Sequence, residues 1–175
     1  MKTLKLYITE ALHVNRNTKI QTYNYHPKTN KELEELIRKL IKERGNDADL
    51  NDIDVSAITD MSYIFYDSHF NGDISKWDVS NATNIAGMFM ESDFNGDISD
   101  WDVSNVKDMY GVFAYSHFNG DISKWNVGNV GTMQHMFSNS PFSGDISNWD
   151  VSKVNNMHNV FYKSPLEKNP PKWYK

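Results

Sequence analysis

The chain has no cysteine. Disulfides and thiolate metal sites are therefore excluded, and redox chemistry says nothing about compartment. No apolar run approaches the ~20 residues of a membrane-spanning helix. Positive charge is not in excess: the formal net charge is −5. That disfavours general nucleic-acid binding, which calls for a basic stripe. The opening "MKTLKLYITEALHVNRNTK" has no continuous apolar stretch or small-residue cleavage site, and Glu10 interrupts it. A cytoplasmic location is the expectation. The motifs of chemistry are missing as well: there is no GxxxxGK[ST], GxGxxG, GxSxG or HExxH. His69 and His117 share one repeat place two copies apart, about 9–10 Å by strand spacing, and His135 and His158 are one place out of register. No catalytic residue, metal or cofactor is expected.

What is present is repetition. The 175 residues are 39% hydrophobic and 13% aromatic, enough for one domain with a ring-rich core. "FNGDISKWDVSNATNI" from Phe70 returns as "FNGDISDWDVSNVKDM" from Phe94, "FNGDISKWNVGNVGTM" from Phe118 and "FSGDISNWDVSKVNNM" from Phe142, a period of 24 residues. Residues 46–69 read as a degenerate first copy. Full copies occupy 70–93, 94–117, 118–141 and 142–165, and 166–175 is a half copy acting as C-terminal cap. Atypical first and last units are expected of a solenoid, whose ends must face water. Residues 1–49 hold ten Lys/Arg against seven Asp/Glu, while residues 70–165 hold five Lys against eleven Asp/Glu.

Residues 1–45 read as an N-terminal capping segment. Leu4, Tyr7, Ile8, Ala11 and Leu12 form one helical stripe, suited to packing on the domain or docking another chain. Alternation over residues 20–25 predicts a short strand before Pro27. "TNKELEELIRKLIKERG" predicts a helix capped by Thr29 or Asn30, with Glu32 and Glu34 in its first turn and Gly45 as a left-handed stop. Its stripe of Leu33, Leu36, Ile37, Leu40 and Ile41 should cover the open end of the repeats.

Within each copy, Ile74-x-x-Trp77-x-Val79 matches the L-x-x-L-x-L skeleton of a leucine-rich-repeat strand. Trp77 and Val79 point to one side, and Lys76, Asp78 and Ser80 to the other. Ala82, Ile85, Met88 and Phe89 then fall at helical spacing, with Ser80 or Asn81 as N-cap. The predicted fold class is α/β: a leucine-rich-repeat-like solenoid, a parallel strand ribbon plus short helices, with a helical cap. Gly72 is expected to supply positive φ in the loop. The Trp column is assigned to the core, against the alternative of an aromatic row stacking on sugar or base. The GDIS aspartates Asp73, Asp97, Asp121 and Asp145 form a column that Asx turns would explain. A cation between copies is the other explanation. Asn71, Asn95 and Asn119 with Ser143 should form a side-chain ladder.

The phrase F-N-G-D-I-S-x-W-D-V-S-N-V-x-x-M resembles the repeat of the BspA-like family of leucine-rich-repeat-like bacterial proteins, over roughly residues 46–175. The lead-in "HPKTNKELEELIRKLIKERG…DLNDIDVS" is similar to segments preceding such repeats in Bacteroidales and phage proteins. The resemblance implies an interaction scaffold without catalytic residues. The expected function is binding of an unidentified protein partner, with no nucleic acid and no membrane. The candidate surface is the outer strand face: Lys76, Asp78, Asp100, Asp102, Lys124, Asn126, Asn148 and Asp150. The alternatives are a structural or assembly component, as of a phage, and carbohydrate binding through an exposed Trp column.

Overall fold

The computed structural model describes residues 22–174. The stripe from Leu4 to Leu12 and the first two residues of the expected short strand lie outside them. What is described of that strand is not one: Tyr25 makes a single isolated parallel bridge, to Ile53.

Helix α1 spans Asn30–Arg44. Thr29 Oγ1 accepts the Glu32 amide at 3.2 Å, and the Glu32 carboxylate accepts the Lys28 amide at 2.7 Å. One orphan donor of the first turn is thus satisfied, and the residue before the cap is tied to the same turn. Gly45 ends the helix at φ 91°, donating its N–H to Ile41 O at 2.8 Å. Leu33, Ile37 and Leu40 are fully buried against the first copy, while Leu36 and Ile41 pack at the margin. Arg44 holds the other end. It gives a two-pronged bond to the Asp52 carboxylate at 2.9 and 3.0 Å and stacks over the Tyr25 ring.

The repeats correct the predicted fold class. Among the described residues there is no strand and no helix within residues 46–164; besides α1, only a one-turn 3₁₀ helix, Pro165–Glu167, is helical. The strand ribbon of a leucine-rich-repeat-like solenoid is not formed. Each copy is a 24-residue coil of tight turns. Coils meet through isolated parallel bridges, Asp60 to Asn84 to Asp108 to Thr132 to Asn156. These bridges lie in the stretch expected to be helical, not at W-D-V-S.

Local hydrogen bonding explains both errors. At W-D-V-S the backbone turns: Trp77 donates to Ile74 O at 3.1 Å and Ala82 to Val79 O at 2.8 Å. Amides satisfied this way are not available to a ladder. After Val79, alternate amides leave the coil altogether. Ile85, Gly87, Phe89 and Glu91 donate to the carbonyls of Asp108, Tyr110, Val112 and Ala114 in the next coil, at 2.7–3.1 Å. A helix would need those donors for its own carbonyls. Intervening amides close three-residue turns, such as Met88 to Ile85 O. Every third side chain therefore faces inward, which imitates helical spacing. Left-handed residues recur in two columns, Tyr63, Gly87, Gly111, His135 and Asn159, then Asp67, Glu91, Tyr115, Asn139 and Lys163, all between φ 51° and 60°. Two such residues four apart, within the stretch expected to be helical, break any helix there. Gly72 is not among them. It is glycine because a Cβ there would run into Ala48 O of the preceding coil.

The core is a set of aromatic columns. Phe65, Phe89, Phe113, Phe137 and Phe161 stack at 5.5–5.9 Å between centroids. Phe70, Phe94, Phe118 and Phe142 stack beside them at 6.2–6.4 Å. Val79, Val103, Val127, Ala82, Val106 and Val130, with the methionines Met61, Met88, Met109, Met133 and Met136, are all buried. No single coil could bury such a face alone; stacking does so for each in turn.

Candidate functional site

The tryptophans are interior. Trp77, Trp101, Trp125 and Trp149 are 3–5% exposed. Each indole N–H donates to a carbonyl of the preceding coil, from Trp77 to Leu50 O through to Trp173 and Ile146 O, at 2.8–3.2 Å. This column offers no stacking platform to a sugar.

Around the core the polar side chains form three columns of turn caps, where a side-chain oxygen accepts the amide two residues on. Asp49, Asp73, Asp97, Asp121 and Asp145 cap one turn. Asp54, Asp78, Asp102, Asn126 and Asp150 cap the next. Asp60, Asn84, Asp108, Thr132 and Asn156 cap a third. The Asx-turn reading of the GDIS column therefore has its geometry. Asn71, Asn95 and Asn119 also ladder as expected, each accepting the amide one coil on at 2.8 Å. Among the described residues no group of three or more His, Asp or Glu is arranged to hold a metal ion.

The eight candidate side chains are all exposed, yet they divide in two. Asp78, Asp102, Asn126 and Asp150 are second-column caps and serve their own turns. Lys76, Asp100, Lys124 and Asn148 make no side-chain hydrogen bond or ion pair with any described residue. Among the described residues no Lys–Asp ion pair joins neighbouring copies along this edge. Charges line up along this edge, as Lys76, Asp100 and Lys124, with Asn148 and Lys172 following.

Several features escaped the repeat reading. Ser92, Ser116, Ser140 and Ser164 are buried; each hydroxyl donates to the Phe carbonyl three residues back, at 2.9–3.0 Å. Their invariant place before the next coil was the available signal. The Asp93 carboxylate bridges His69 and His117 of the two flanking coils, at 2.7 and 3.0 Å from their Nδ1 atoms. Tyr63, Tyr66, Tyr115 and Tyr162 are 43–58% exposed beside the left-handed columns. Finally, a cavity of about 460 Å³ opens between α1 and the first coil.

The caps make stability acid-sensitive. The Ser99, Ser123 and Ser147 amides, with their hydroxyls, hold the Asp97, Asp121 and Asp145 carboxyls below their ordinary value of 3.8. The Ser104 hydroxyl and amide do the same for Asp102. Folded values below unfolded ones mean that the stabilisation is complete above the unfolded value. It is lost as pH falls through the folded values. The urea midpoint is therefore expected to be level from neutrality to about pH 5 and to fall below about pH 4. Replacing Asp97, Asp121 and Asp145 with Asn keeps the acceptor oxygen but removes the titration. The triple variant should show a shallower acid slope; an identical slope would refute the assignment.

Among the described residues no helix is long and apolar enough to cross a membrane. Comparison with curated proteins and with solved structures finds no match. The profile of one family matches twice, over residues 31–140 and 91–173, overlapping placements such as a periodic chain allows. Together they take in most of α1 and every full copy, so the chain belongs to this family, described as "Mycoplasma protein of unknown function, DUF285".

Proposed function

We propose that this chain is a non-enzymatic protein-interaction scaffold that binds a protein partner along the charged edge outside the Trp column. The kinship with BspA-like repeat proteins belongs to the same proposal. One contrast carries it. Nearly every other polar column is used up in holding turns or joining coils, whereas Lys76, Asp100, Lys124 and Asn148 are exposed and make no side-chain hydrogen bond or ion pair with a described residue. Solvated charge on a rigid, periodic support suits partner recognition, because complementary charge sets register and rate of encounter. Asp78, Asp102, Asn126 and Asp150 border this edge, each capping its own turn through Oδ1.

The test reverses the uncommitted charges and leaves the caps intact. A Lys76→Glu, Asp100→Lys, Lys124→Glu variant should fold with the parent's urea midpoint. It should recover at least about tenfold less of the partner captured by the parent from the native cell, a loss of roughly 1.4 kcal/mol. Equal recovery by the folded variant would remove this edge from the claim.

A further inference from the structure

The inter-coil hydrogen-bond row begins one step before it has a donor. The carbonyls of Met88, Val112, Met136 and Val160 accept the amides of Phe65, Phe89, Phe113 and Phe137 in the preceding coil, at 2.9–3.0 Å. The carbonyls of Met90, Ala114, Ser138 and Tyr162 likewise accept Asp67, Glu91, Tyr115 and Asn139, at 2.8–3.0 Å. The equivalent carbonyls in the first coil are those of Ile64 and Tyr66, and no described donor reaches them. Helix α1 substitutes for a preceding coil only in part: Asn30 Nδ2 donates to Ser62 O at 2.9 Å. Beyond that point α1 and the coil diverge, and the cavity of about 460 Å³ opens. Ile37, Ile41 and Ile64 line it, with Tyr66 at the same wall.

We propose that this groove takes an extended polypeptide segment of a partner protein, which continues the inter-coil row by donating two backbone N–H groups to Ile64 O and Tyr66 O. The occupant's chemistry follows from the row itself. In the chain the two donors are always two residues apart, and the first belongs to an inward-facing Phe. The partner segment thus carries an apolar residue against Ile41, the partly exposed isoleucine of this wall, and proline is excluded there and two places on, since it has no N–H. Backbone bonds of this kind supply affinity, and the apolar pocket supplies selectivity. Two charged groups at the rim are already engaged, Arg38 with Glu34 at 2.7 Å and His69 with Asp93 at 2.7 Å, and the Asp67 carboxylate has no ion pair among the described residues. With one unpaired carboxylate at the rim and contacts that are otherwise backbone and apolar, groove binding should depend less on salt than binding at the charged edge. The inference rests on the reading of the chain as an interaction scaffold but uses a different surface.

The probe is a display library of random 12-residue peptides selected against the full chain. Enriched sequences are expected to share an apolar residue followed two places later by any residue except proline. In the corresponding synthetic peptides, N-methylation of either of these amides should weaken binding at least about tenfold, and methylation of the amide between them should not. Ile41→Lys should abolish binding with the urea midpoint retained, and the Lys76→Glu, Asp100→Lys, Lys124→Glu variant should bind normally. No enrichment, or indifference to N-methylation, would overturn the proposal while leaving the charged edge untouched. Hydrogen-exchange protection of residues 1–21 that disappears in Ile41→Lys would assign the groove to the chain's own leader instead. Concentration-dependent self-association lost in that variant would assign it to a second copy. Either result overturns the partner reading.

Discussion

Phe113→Ala is expected to lower unfolding free energy by about 3–5 kcal/mol, the range for emptying a buried aromatic site. Phe113 is 0% exposed. Its ring centroid lies 4.1 Å from that of Phe118, 5.7 Å from Phe89 and 5.8 Å from Phe137. The cavity would therefore open on three rings in the two flanking coils, and none can move in without leaving its own column. Backbone geometry tightens the constraint. The Phe113 amide donates to Met136 O and its carbonyl accepts the Ser116 hydroxyl, both at 2.9 Å, so the coil cannot collapse around the gap. Position in the stack matters too. In a one-dimensional array a central unit supports neighbours on both sides, so the variant should also broaden the transition as the two ends come apart. Urea unfolding followed by far-ultraviolet circular dichroism and by indole fluorescence measures both effects. Asp100→Ala, which removes an exposed side chain with no internal partner, should change stability by no more than about 0.5 kcal/mol. A loss under about 1 kcal/mol for Phe113→Ala would mean that the columns do not carry the stack.

Period and composition were sufficient to find that core. Phe70, Ile74, Trp77, Val79, Ala82, Ile85 and Phe89 sort inward from the sequence alone, and all are buried. So was α1, because its cap, stripe and terminal glycine agree with one another. The nature of the repeat was not legible from apolar spacing. Turns closed by successive three-residue bonds bring in every third side chain, much as a helix does, and W-x-V alternation turns two side chains inward whether or not a ladder forms. The distinguishing information lay in the polar letters. An Asp, Asn or Thr stands two residues before a turn amide three times in each coil, and Gly87 and Gly111 sit inside a supposed helix. Both say that the amides are satisfied locally or sent to the next coil. The surface was half legible for the same reason. Exposure of Lys76 and Asp78 follows from alternation, but only the hydrogen bond from Ser80 N–H to Asp78 Oδ1 at 3.1 Å shows that one serves the fold while the other is uncommitted. The groove under α1 was not legible, since it depends on two carbonyls that no donor among the described residues reaches, and that leaves no mark in the sequence.

Gly72→Ala carries the other large expectation, about 3 kcal/mol, at the upper end of overpacking costs. The Cβ would run into Ala48 O, would stand 2.8 Å from Ala48 N, and would press Phe70 Cε2 at 2.7 Å. Backbone on one side and a buried ring on the other leave no flexible group to yield. The first two coils are also held together here, by Asn71 to Asn46 O, Asp73 to Ala48 O and Leu50 to Asp73 O, at 2.9–3.0 Å. Separating them to admit a methyl group stretches all three bonds at once. Gly131→Ala is the matched control. Its nearest neighbour would be Lys107 O at 3.6 Å, and the equivalent places in other coils already carry Thr83, Lys107 and Asn155. That variant should be neutral or stabilising by up to about 1 kcal/mol, through loss of unfolded-chain entropy. The two substitutions change the chain by the same methyl group, so urea midpoints measured side by side isolate the contact. Equal midpoints would show that the first coil is not seated on the second as described, and the groove it forms with α1 would lose its floor. A large loss confined to Gly72→Ala would place the close approach of backbones, rather than left-handed φ, as the reason for glycine at this point of the repeat.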